Sequence, residues 1–210
     1  EGDYGALIDG FGQRWVTETL AFKPYPCGTM IQPYVDCARR IVRQSIDPAA
    51  ITEIVCEAAE GTVHRLWEPL AAKQLPPNGY AAKFAAPYCI AHAMVHGSLG
   101  LGAFTDGAVA DQAVNALAAK IGYRIDPANP YPNAYTGHVE IRLADGRIIE
   151  ERQPHMRGGA SEPLTRADLE DKFRSNAALG RWTAAQAAAV LTLARNLWDQ
   201  TRADLALLRG

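Results

Sequence analysis

His138-Val139-Glu140-Ile141-Arg142-Leu143-Ala144-Asp145-Gly146-Arg147 is the stretch on which the fold turns. Val139, Ile141 and Leu143 alternate with Glu140 and Arg142, the two-residue period of a half-buried strand. Asp145-Gly146 is a tight-turn dipeptide, and Arg147 to Arg152 return alongside, so an antiparallel hairpin is expected. Upstream, Ile51 to Ala58 (ITEIVCEA) clusters β-branched residues as a strand does. Asp47-Pro48 before it has the chemistry of a capped single helical turn.

Helical spacing surrounds these strands. From Pro33, a residue suited to a first turn, Val35, Ala38, Ile41 and Val42 recur at intervals of three and four. A second helix is expected near Pro87, with Tyr88, Ala91, Val95 and Leu99 along one side, ending in the glycine-rich Gly97 to Gly102 region. A third spans about Ala110 to Lys120. Pro76-Pro77-Asn78-Gly79 and Pro127 to Pro132 interrupt the chain. Phe11 to Leu20 is either the end of a helix or an approach segment.

After Pro154 the composition changes. Thr165-x-x-Asp168 and Thr183-x-x-Gln186 are capping-box signatures, each opening a helix. The last helix carries Val190, Leu193, Ala194, Leu197 and Trp198 as an apolar stripe that needs a partner surface. The expected class is α+β: a small mixed unit with an antiparallel hairpin over residues 23–155, then a helical tail over 156–210. Residues 1–22 form a linker or the end of another helical segment.

Composition bounds the function. The chain has 210 residues, 48% of them apolar, and a formal charge of −2. No block of like charge favours nucleic acid or an anionic membrane as a partner. The longest apolar stretch, Tyr88 to Phe104, is broken by His92, His96 and glycines and is too short and polar to span a bilayer. The chain opens on Glu1 and not on methionine, so further sequence upstream is expected. Cys27, Cys37, Cys56 and Cys89 lie far apart with no CxxC pair, which fits reduced thiols in a cytoplasmic protein better than a disulfide framework.

Several motifs could carry chemistry. In Phe22-Lys23-Pro24-Tyr25-Pro26-Cys27-Gly28, two prolines stiffen the loop around a lysine. Lys23 is either a solvated loop cation or one aimed at an anion. Tyr88, His92 and His96 share a helical face, but neither an HExxH glutamate nor a third ligand accompanies them, which argues against a metal site. Tyr88, in the first turn after Pro87, either projects into a cleft as a proton donor or fills the core with its hydroxyl satisfied. Pro154-His155-Met156-Arg157-Gly158-Gly159 joins the hairpin to the tail; His155 and Arg157 are candidate substrate-binding residues there, and a guanidinium beside two glycines can approach a carboxylate closely. A solvated linker arginine is the alternative.

Together, KPYPC at Lys23, QPYVDC at Gln32, PYCIA at Pro87, the HVEIRLADGR hairpin and the stretch from Arg157-Gly158 through PLTxxDLxxKF at Pro163 resemble the carboxy-terminal half of the MmgE/PrpD family. The resemblance runs from about Ala21 onward. The family includes 2-methylcitrate dehydratase, cis-aconitate decarboxylase and iminodisuccinate epimerase. It implies a large helical domain, a smaller α+β lid inserted in sequence, and an active site between them. It further implies a small polycarboxylate substrate, chemistry without metal or organic cofactor, and a homodimer. Lys23 and Tyr88 fall on the family's functional lysine and tyrosine, as charge stabiliser and proton donor. Gln32 stands where many relatives carry histidine; it can hydrogen-bond a carboxylate but cannot act as a base near neutral pH. The acid–base residues of the amino-terminal helical domain would come from elsewhere in a longer chain or from a separate subunit. Dehydration, or a related elimination, by proton abstraction next to a carboxylate is the expected reaction; epimerisation, decarboxylation and a non-catalytic assembly role are the alternatives.

Overall fold

A computed structural model describes residues 3–5, 8–13, 15–199 and 206. Its centre is a four-stranded mixed sheet: β1 (Ile51–Ala58), β2 (Ile121–Ile125), β3 (Gly137–Leu143) and β4 (Ile148–Gln153), in the order β2-β1-β3-β4. β1 pairs parallel with β2 and antiparallel with β3, while β3 and β4 form the hairpin. Nine helices are present among the described residues: α1 (Gln32–Val42), α2 (Val63–Leu66), α3 (Leu70–Gln74), α4 (Gly79–Ala82), α5 (Ala86–His96), α6 (Asp106–Val109), α7 (Gln112–Ala118), α8 (Arg166–Leu179) and α9 (Ala184–Arg195). The α+β class with its hairpin is as the sequence implies.

Alternation along the strands sorts the two faces of the sheet. Ile54, Cys56 and Ala58 of β1 are buried, as are Val139, Ile141 and Leu143 of β3; Ile54 lies between Ile121 and Ile141 in register. α1 crosses β3 and β4 on this face and packs against α5. Ile31, Val35, Ile41, Ile90, Leu66 and Trp67 complete one continuous core with the strands. The start of β3 presses directly on α1: a Cβ on Gly137 would lie 2.5 Å from the Pro33 carbonyl carbon. The opposite face carries a lattice of charges. Glu57 meets Arg152 at 2.8 Å and Arg124 at 2.9 Å, and Glu140 meets Arg142 at 3.0 Å and Arg124 at 3.3 Å.

β2 escapes the sequence reading, which runs from a helix over 110–120 straight to a proline-rich break. Its five residues, IGYRI, bury only Ile121 fully, so no clean alternation marks them. The parallel bond to β1, made across the helical crossover α2–α7, imposes the strand from outside. The short helices α2, α3, α4 and α6 are likewise fixed by contacts and caps, Asn78 and Thr105 accepting backbone N–H bonds at α4 and α6.

Both predicted capping boxes form. Thr165 and Asp168 bond reciprocally at the start of α8, and Thr183 and Gln186 at the start of α9. The tail is nonetheless scarcely buried: Ala187 is the one buried residue of α8 and α9. α8 and α9 pack on each other, with Glu170 held by Arg174 and Arg195. Between them lies an open groove lined by Leu169, Phe173, Val190, Leu191 and Ala194. Among the described residues no helix is long and apolar enough to cross a membrane.

Candidate functional site

The proline-clamped loop turns Tyr25 inward, and a polar knot forms around it. The Tyr25 phenol donates to Asp36 Oδ1 at 2.5 Å and accepts from Arg39 Nη1 at 2.9 Å and Arg157 Nη2 at 3.1 Å. Arg157 Nε donates to the same Asp36 oxygen at 3.1 Å, and its Nη1 to Asp168 at 3.4 Å. Both guanidinium carbons lie over the Tyr25 ring, 5.8 Å (Arg39) and 5.7 Å (Arg157) from its centre, within cation–π range. Burial, then the Asp36 carboxylate, push the phenol above its ordinary value, so it stays protonated. Burial alone would weaken the Arg157 charge, but Tyr25 and Asp36 outweigh it and hold the guanidinium protonated. Four distant segments (the loop, α1, the 154–159 linker and α8) are tied at this point.

Beside the knot opens a cleft of about 250 Å³. Pro24 to Pro26, Arg39, Arg157 and, from α8, Lys172, Ser175 and Asn176 line it, with Ser98 to Leu101 as a further wall. That wall follows α5, which ends because Gly97 adopts φ +68°, a left-handed turn that suits glycine. Three polar contacts pin the segment. Arg39 Nε donates to Gly97 O at 3.3 Å, His92 Nδ1 lies 3.0 Å from Ser98 O, and the Tyr88 hydroxyl donates to Ala103 O at 2.6 Å. A carbonyl only accepts, so the His92 contact requires the proton on Nδ1. Burial, the largest influence on His92, lowers its pKa and favours the neutral ring.

The five candidate residues from the sequence separate. Arg157 lines the cleft. Lys23 is exposed and is not among the residues lining the cleft, although the next residue, Pro24, is; its backbone runs between two fixed points: Phe22 N–H bonds to Gly158 O at 2.9 Å, and Tyr25 bonds to Arg157. Gly158 permits this crossing, since at φ +94° its absent Cβ would sit 2.0 Å from Phe22 O. The lysine loop and the arginine linker are thus one structural unit. Tyr88 does not project into the cleft from its first turn. It is fully buried, its pKa is pushed up to about 12 chiefly by burial, and its hydroxyl bonds to the Ala103 carbonyl, beyond the Ser98 to Leu101 wall of the cleft. Gln32 is also fully buried, with neither amide atom partnered. His155 is exposed and borders a separate cavity with Pro132, Tyr135 and Met156.

Sequence reasoning passed over Tyr25, Asp36, Arg39 and Lys172. Tyr25 and Asp36 stood inside quoted motifs, and a tyrosine fixed between two prolines was the available signal. Arg39 follows Asp36 by one turn of α1, but nothing in local spacing links Arg157 or Lys172 to them, because the Arg157 bonds join residues more than a hundred positions apart.

Comparison with known proteins adds an independent line. The family model described as the MmgE/PrpD C-terminal domain matches residues 25–200. The cis-aconitate decarboxylase of Mus musculus is 26% identical over 163 residues, covering 76% of this chain and 33% of that protein. The cis-aconitate decarboxylase of Homo sapiens is 24% identical over 129 residues, covering 60% of this chain and 26% of that one. The chain thus spans a third or less of the length of these curated relatives.

Proposed function

The chain belongs to the MmgE/PrpD family, matching its C-terminal domain, and from that premise we propose that it is a lyase module, cytoplasmic and acting on a small di- or tricarboxylate. In this reading a proton leaves the carbon next to a carboxylate and a leaving group is expelled, as in a 2-methylcitrate dehydratase. The carrying observation is the mounting of the Lys23 backbone next to Pro24 of the cleft, between the Phe22–Gly158 bond and the Tyr25–Arg157 bond. The Lys23 ammonium, carried on that backbone, would stabilise the negative charge that develops as the proton departs. Tyr88 supports the same step from behind the wall. Its hydroxyl is committed to Ala103, so proton donation to a leaving group requires the 98–103 segment to shift. Gln32 and His155 remain candidates for contact with substrate in the completed protein.

Two further features support a larger assembly. Large apolar side chains of the first 22 residues and of the tail are exposed, among them Phe11, Trp15, Phe22, Leu179 and Trp198. We assign them to contacts with an amino-terminal helical domain, in the same chain or a separate subunit, with 23–155 as the lid and 156–210 returning to that domain, and the whole as a homodimer. Decarboxylation is the second reading, favoured by the names of the two curated relatives.

The test is an assay of the protein, with its amino-terminal helical partner supplied, on 2-methylcitrate and cis-aconitate. Dehydration products support the first reading and carbon dioxide release the second. Lys23→Ala should lower kcat by about 10²–10³, the scale of losing one charge-stabilising group. Unchanged turnover in that variant would remove the proposed role, and absence of turnover on every polycarboxylate would leave an assembly subunit.

A further inference from the structure

The cleft contains two cations that its own carboxylates do not neutralise. Arg157 is matched by Asp36 at 3.1 Å and Asp168 at 3.4 Å. Asp168 is also held by the Thr165 hydroxyl and N–H, which with the weaker pulls of Arg157 and, less, Arg39 keep its carboxyl below the ordinary range. Asp171, on the rim, pairs with Arg174 at 3.0 Å. Arg39 and Lys172, in contrast, make no ion pair with any described residue. Arg39 donates only to a phenol and a carbonyl, through Nη1 and Nε, which leaves Nη2 without an acceptor. Both residues line the cavity and both are half-buried. Among the residues that line the cleft, three cations (Arg39, Arg157 and Lys172) face two carboxylates (Asp168 and Asp171).

We propose that Arg39 and Lys172 form a carboxylate-binding subsite in this cleft, holding a small acid with two or more carboxylates between α1 and α8. Arg39 is oriented before the ligand arrives, because Tyr25 and Gly97 already fix two of its three nitrogens. Its remaining N–H edge and the Lys172 ammonium approach from different elements, which favours a ligand charged at two ends over a single compact ion. Ser98, Ser175 and Asn176 supply neutral polar groups around the same space. The cavity is smaller than the roughly 300–1,000 Å³ typical of drug-sized ligands, which matches such an acid. Only the ligand's class leans on the function proposed above; the charge imbalance stands without it.

The test titrates the 210-residue chain with tricarballylate, a tricarboxylate without a hydroxyl or double bond to react, and separately with inorganic phosphate. Amide shifts are followed by NMR and affinity by calorimetry. Tricarballylate should shift the amides of residues 98–101 and 172–176, with affinity falling as salt rises. Lys172→Ala should weaken binding about tenfold or more and Lys172→Arg should retain it, while Arg147→Ala, in the distant β3–β4 turn, leaves it unchanged. Arg39→Gln tests the second cation, and Lys172→Ala, at a half-buried position with no hydrogen bond or ion pair to any described residue, decides the matter if Arg39→Gln does not fold. Wild-type affinity in Lys172→Ala, no shift in the cleft at millimolar ligand, or phosphate binding as tightly as tricarballylate would each overturn the subsite. Binding abolished by Lys23→Ala alone would move the ligand to the loop, overturning the subsite while sparing the lyase reading. Tricarballylate seated in the cleft with no turnover of any polycarboxylate would do the reverse.

Discussion

The α+β body and the helical tail begin from equally strong sequence signals and reach opposite degrees of burial. In the body, α1, β1, α5 and β3 each send a side into one core, and Trp67, Tyr88 and Ile54 lose all exposure. In the tail, both capping boxes form as written, yet Trp198 is 94% exposed and the apolar stripe of α9 faces an open groove. Caps fix where a helix begins. They add about a kilocalorie each, while burying one large side chain adds more. The body is stabilised by its own packing, and the tail by local bonds with its apolar area still unspent.

Mutations in the two regions should therefore separate sharply. The largest effect is expected at Trp67, which packs edge-on to Tyr34 at 5.5 Å and lies against Tyr123 at 5.4 Å. Trp67→Ala should cost about 3–5 kcal/mol in urea unfolding. A smaller loss, about 1 kcal/mol, should follow Thr165→Ala at the α8 cap. It should appear as faster amide exchange in α8 with the body's protection unchanged; a global loss would mean that tail and body unfold as one.

Next comes a pH effect confined to the charged face of the sheet. Arg152, and after it Arg124, pull the Glu57 carboxyl down to about 2, against an ordinary value of about 4.3. The folded value is the lower one, so the stabilisation is complete above the ordinary value and is lost as pH falls from there towards about 2. Glu57→Gln should flatten the fall in melting temperature over that window. The smallest effect belongs to Trp198→Ala, within about 0.5 kcal/mol for this chain alone. In an assembly with the amino-terminal helical domain the same change should weaken association measurably, and indifference there would exclude Trp198 from the contact.

Legibility followed the range of the interactions involved. The hairpin, β1, α1 and both capping boxes depend on neighbours a few residues away, and their sequences displayed them. β2 depends on a partner strand some sixty residues earlier, and its pentapeptide carries little sign of it. The same division runs through the site. The stiffness of the Lys23 loop and the role of glycine beside Arg157 could be read locally, whereas the meeting of Tyr25, Asp36, Arg39 and Arg157 is a product of the fold. Tyr88 shows the limit of a positional rule. Being in the first turn after a proline suggested access to a cleft, but α5 is enclosed by α1, α7 and the segment after it, and the ring is sealed inside.

Sheet order has a consequence for how the protein is made. β1 lies in the interior of the sheet yet is synthesised first, and both its neighbours, β2 and β3, emerge from the ribosome long after it. During that interval an apolar strand waits with two open edges, beside helices that are already able to fold. The β3–β4 ribbon, closed by a short turn, can zip within roughly 1–10 µs of its appearance. β1 can gain both of its neighbours only once the chain has been made as far as β3, so the centre of the sheet cannot close until some eighty residues after β1 have been synthesised.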